Sequence, residues 1–108
     1  MKIGELKDKQ KNVSMELKVI YDQMKEKEFR GHRSKTLVVV DADKEEGGTT
    51  ALLDVFDGDI DKYKQNDKLE VINGYAKEIT TSRGKQFLIT YGFTKDKGLI
   101  GRYEKIGS

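Results

Sequence analysis

The chain has 108 residues, of which 35% are hydrophobic and 37% charged, with a net charge of +2. That length suits one compact domain and is too short for two, and the aliphatic run Leu37-Val-Val-Val40 sets the chain apart from a disordered polyelectrolyte. The absence of cysteine excludes disulfides, thiolate metal sites and cysteine catalysis; with no stretch of membrane-spanning or signal-peptide character, a soluble cytoplasmic protein without a membrane partner is expected.

Residues 1–12 are polar and lysine-rich, a strap anchored by Ile3 and Leu6. From Val13 the period is two: Val13, Met15, Leu17, Val19 and Tyr21 alternate with polar residues, Ile20 being the exception, which predicts a strand with its odd face inward. Residues 23–35 predict a long basic loop or hairpin, and the β-branched residues of 36–41 a second strand. After an acidic, glycine-containing turn at 43–48, residues 49–56 predict a third strand with Ala51, Leu53 and Val55 on one face. Leu52, Asp54 and Phe56 take the other. Residues 57–65 predict a short helix capped by Asp57 or Asp59, with Ile60 and Tyr63 on one side. A fourth strand runs from Lys68 through Gly74, where a bulge or bend is expected, to Ile79. Residues 85–91 predict a fifth, and 93–108 a basic extension with a short strand near 99–103. Three strands, a short helix and two strands is the layout of the five-stranded OB-fold barrel, a single domain with its barrel at 13–92; an SH3-like barrel is the second choice.

Charge is spread unevenly. Residues 1–40 carry ten Lys/Arg against six Asp/Glu, residues 41–70 four against ten, and residues 71–108 seven against three. Basic flanks meeting on one side of a barrel would attract polyanions; dispersed, they are an ordinary mixed surface. A groove for a single-stranded nucleic acid needs rings on which bases stack and cations that track phosphates. Phe56, out of phase with its strand's core residues, and Tyr75, just after the suspected bend, are the stacking candidates, with a place in the core as the alternative for each. Arg30, Arg33 and Lys35 in the first loop, Lys77 on the strand of Tyr75, and Arg83 and Lys85 in the last hairpin supply cations. Asp57, Asp59 and Asp61 lack the glycine and the bidentate glutamate of a calcium loop. His32, the lone histidine, reads as a solvated loop residue rather than a zinc ligand. No nucleophile, base and orienting partner assemble from these residues, so neither enzyme activity nor a cofactor is expected.

Several short segments in order carry a resemblance. Ile3-Gly-Glu-Leu6, Lys11-Asn-Val13, Val40-Asp-Ala-Asp43, Val55-Phe-Asp57, Asn66-Asp67 and Asn73-Gly-Tyr75 are similar, in sequence and spacing, to the archaeal single-OB single-stranded DNA-binding proteins. These are in turn similar to the OB domains of replication protein A and to the animal sensor-of-single-stranded-DNA proteins. The resemblance spans nearly the whole chain and implies non-catalytic binding of single-stranded DNA, with little sequence preference, in replication or repair. It places base-stacking positions at Phe56, where the family usually has tryptophan, and Tyr75. The family's next stacking aromatic falls on Ile79, so Lys77 and Ile79 would line the same strand, and the last family contact falls on Thr90 or Tyr91. The rival expectations are an RNA-binding OB module and an OB-fold subunit that docks other proteins through its acidic segment, residues 41–70.

Overall fold

A computed structural model of the protein describes residues 1–29, 31–43, 49–94, 96 and 98–106. Its strands are β1 (Gln10–Tyr21), β2 (Lys27–Phe29), β3 (His32–Asp41), β4 (Ala51–Phe56), β5 (Lys68–Thr81), β6 (Gly84–Tyr91), β7 (Phe93–Thr94), β8 (Gly98–Leu99) and β9 (Arg102–Ile106). Strands β1, β3, β4, β6 and β5 pair in that order, and β5 pairs back to β1, which closes a barrel. Every pair is antiparallel except β4 with β6. A closed five-stranded barrel with this order is the OB-fold. Among the described residues no helix is long and apolar enough to cross a membrane.

Period-two patterning builds the interior. Val13, Met15, Leu17 and Val19 of β1 meet Leu37 and Val39, Leu53 and Val55, Leu69 and Val71, and Ile89, all buried. Burial of each such side chain contributes about 1.5–3 kcal/mol. The long β5 serves two neighbourhoods: residues 68–72 lie between β1 and β9, and residues 74–81 pair with β6. It turns at Gly74, opposite Val13, where the β1 register shifts on both sides. A Cβ there would stand 2.5 Å from Val71 Cγ1 and 3.0 Å from the Thr90 carbonyl. Only glycine lets the strands approach this closely.

The remaining expectations need adjustment. Between β4 and β5 there is no α-helix but a 3-10 turn, Asp57–Asp59, without a side-chain cap. Asp57 has φ +49°, not the extended backbone of an N-cap, and its carboxylate goes to His32 and to the Arg33 N–H. Ile60 and Tyr63 are nonetheless both buried in the core cluster. The first loop contains the β2–β3 hairpin, so β3 begins at His32 and not at residue 36. The C-terminal residues are more than an extension: β9 pairs with β5 and buries Tyr103.

Candidate nucleic-acid interface

The outer face of β3, β4, β6 and β5 follows from register. Val38 pairs with Leu52, Leu52 with Leu88 and Leu88 with Lys77, giving one row across four strands. Counting in twos from this row, Thr36, Asp54, Phe56, Thr90, Tyr75, Ile79 and Gln86 share the face. Phe56, Tyr75, Lys77 and Ile79 therefore share one side of the sheet by register, although Phe56, at the end of β4, also packs against the buried cluster. At one end a groove of ≈ 600 Å³ runs over Val38 and Leu52, bounded by Tyr21 and Met24 on one side and by Arg83 on the other. Toward the other end Tyr75 lines a hollow of ≈ 420 Å³ with Lys11, Thr90 and Ile100.

Phe56 is half-buried, its ring tilted against Tyr91 at 5.3 Å and parallel to the His32 ring at 6.4 Å. His32 is thus the first residue of β3 rather than a loop residue, exposed as expected, and lies 2.7 Å from the Asp57 carboxylate. Its hydrogen bond holds the Asp57 carboxyl below the usual range, helped by the Arg33 N–H. Behind Phe56 the β4–β6 ladder stops at Leu53 and Ile89. Beyond that point two tyrosines hold the β4 edge. The Phe56 N–H donates to the Tyr91 hydroxyl at 3.2 Å, the Tyr103 hydroxyl donates to the Asp54 carbonyl at 2.6 Å, and Tyr91 donates to Asp59 at 2.6 Å. The two rings stack 4.3 Å apart.

Asp54 is the one acidic side chain among the described residues counted on this face. Burial pushes its carboxyl above the usual range, while a hydrogen bond from Thr36 Oγ1 at 3.0 Å and the charges of Lys77 and Lys27 work against that shift.

The expected cations separate into two sets. Lys77 lies on the outer face opposite Leu88, and Arg83 sits at the β5–β6 hairpin tip beside the groove; neither makes an ion pair among the described residues. Arg33 and Lys35 share the side of β3 that carries Leu37 and Val39, Lys35 standing opposite Val55. Arg33 binds Glu26 through two hydrogen bonds of 2.7 and 3.1 Å, an interaction that lowers the Glu26 pKa and raises that of Arg33. Lys85 occupies the reverse side of the last hairpin, 3.7 Å from Glu78. Arg30 lies outside the described residues.

The groove also takes in Tyr21 and Met24, 45% and 38% exposed, which the sequence pattern does not mark as groove residues. The alternation Val19-Ile20-Tyr21 places Tyr21 inward, but the β1 register shifts between Val19 and Tyr21, setting Tyr21 opposite Val38. The adjacent apolar pair Val19-Ile20 was the visible sign of that bulge. Among the described residues no three His, Asp or Glu side chains come together to hold a metal ion. Neither a protein-family model nor a curated protein matches the chain. Fold and face together define an OB barrel with an aromatic and aliphatic outer surface edged by Lys77 and Arg83, neither of them ion-paired among the described residues.

Proposed function

We propose that the protein binds single-stranded DNA without catalysis, along the outer face of β3, β4, β6 and β5. The observation that carries this reading is the convergence of Phe56, Tyr75, Lys77 and Ile79 on one face that continues into the groove between Tyr21 and Arg83. Rings accept bases of any identity, and in this reading Lys77 and Arg83 supply the charge that meets phosphates. The resemblance to single-OB DNA-binding proteins adds weight, and replication or repair is the setting it suggests. Docking of proteins through residues 41–70 is supported less, because these acids are dispersed among internal bonds. Asp41 accepts from the Ile3 N–H, Asp57 pairs with His32, Asp59 accepts from Tyr91, and Asp67 pairs with Lys105.

The test is fluorescence anisotropy with a labelled dT oligomer of about 20–30 nucleotides, longer than the roughly 4–16 that one OB-fold covers. Titrations run at low and high salt beside the matching duplex and RNA. Salt-sensitive binding that favours the DNA single strand is expected. Phe56→Ala/Tyr75→Ala should weaken it at least about tenfold, given roughly 1–3 kcal/mol per stacked base. Parental affinity in a double variant whose thermal unfolding matches the parent would overturn the proposal, and tighter binding to RNA would assign the face to RNA instead.

A further inference from the structure

Resting on that reading, we propose that Asp54 makes the face base-selective, favouring guanine in the bound strand. A carboxylate in a track for a polyanion lowers affinity through repulsion of phosphates, so its place there calls for a role toward the bases. Asp54 stands on the outer face between Leu52 and Phe56, half-buried, with one oxygen accepting from Thr36 Oγ1 at 3.0 Å. It forms no ion pair among the described residues. Its backbone is immobilised on the barrel side, the carbonyl by the Tyr103 hydroxyl and the Phe56 N–H two residues on by the Tyr91 hydroxyl. The carboxylate is thus presented from a rigid strand, with little ordering left to be done on binding.

Two residues along a strand span roughly 6.6 Å. A base stacked on Phe56 accordingly brings its edge over the Asp54 side chain. An ionised carboxylate only accepts hydrogen bonds, and its two oxygens suit a pair of parallel donors. Guanine alone offers two adjacent donors on its pairing edge, N1–H and the N2 amino group. Thymine offers a single N3–H flanked by two carbonyl oxygens that a carboxylate repels. Adenine and cytosine each offer an amino group beside an acceptor nitrogen. Asp54 therefore discriminates among bases while the aromatic rings and cations supply the shared affinity.

The experiment compares d(TTG) repeats, d(TTI) repeats, in which inosine lacks the N2 amino group, and dT, all of about 21 nucleotides, in lithium buffer to suppress guanine quartets. The unmodified protein should bind the guanine oligomer about tenfold more tightly than the inosine oligomer, within the range of one good bidentate contact. Asp54→Asn should abolish that gap and bind dT more tightly than the parent, having lost a repelling charge. Equal affinity of the unmodified protein for the guanine and inosine oligomers overturns the inference, as does a gap that persists in Asp54→Asn. The first comparison does not depend on how the variant folds. Binding to all three without preference removes selectivity alone, whereas failure to bind any of them overturns the proposed function itself.

Discussion

Two sets of cations flank the same barrel and differ in what surrounds them. At the start of β3, Arg33 is tied to Glu26 and shares by register the side of β3 that carries Lys35 and Leu37. On β5 and its hairpin, Lys77 and Arg83 stand on or beside the outer face and make no ion pair among the described residues, Lys77 acting on the Asp54 carboxyl only through its charge. Equal charge in the sequence thus produces unequal fields. The parity of a strand decides which side a cation serves, and a neighbouring carboxylate decides how much of its charge a ligand meets.

The strongest way to break this contrast is paired neutralisation. Lys77→Gln/Arg83→Gln should weaken oligonucleotide binding about tenfold at low salt and flatten the slope of log K against log salt by about 1.4, the effect of two lost phosphate contacts on a single strand. Arg33→Gln/Lys35→Gln should leave the slope at the parental value; an equal loss from both pairs would remove the distinction. Tyr21→Ala comes next, with an expected loss of about fivefold, the lower end for base–aromatic stacking, measured by the same anisotropy titration. Glu26→Gln should change affinity by less than about twofold, because it frees the Arg33 charge but leaves its side of the strand unchanged. A clear gain would mean that pairing, not parity, keeps Arg33 from the ligand.

The smallest effect concerns acid stability. Asp22, Glu26 and Asp57 are held below the usual carboxyl range by the Gln23 amide, by Arg33 and by His32 respectively. Their stabilisation is full above about pH 4, where the unfolded chain's carboxyls ionise, and is lost as the pH falls through the lower folded values. Asp54 has the opposite sign: burial raises its pKa, so its relative contribution is full at acid pH and lost as the pH rises through the folded value. Denaturation midpoints followed from pH 7 downward should therefore fall more steeply in Asp54→Asn than in the parent.

Much of the barrel is legible because its interior positions alternate cleanly. Val13 to Val19, Ala51 to Val55 and the glycine at 74 each carry a local signal that packing then uses. Phe56 stands out for the same reason, as an aromatic off the core phase, whereas Tyr75 shares the odd phase of Leu69 and Val71 and is legible only through the bend expected at Gly74. What escapes a linear reading depends on pairing. A single bulge after Val19 turns Tyr21 outward, and Arg33 and Lys35 are assigned to a loop because β3 is started at residue 36 instead of His32. Counting back in twos from Leu37 puts both on the inner side, a step available only once the strand is known to extend that far. Asp57 and Asp59 resemble helix caps because nothing nearby in sequence announces His32 and Tyr91, which claim their carboxylates from across the barrel.

The tyrosine clamp on β4 has a consequence for how the molecule behaves in a crowd. A strand whose ladder ends early exposes bare N–H and C=O groups, and such an edge is a template on which another chain can add a strand. Tyr91 and Tyr103 fill those bonds with side-chain hydroxyls, which hold the edge but offer no ladder to extend. The β4 edge at Asp54 and Phe56 is thereby closed to strand addition from another chain, although its ladder to β6 ends at Leu53.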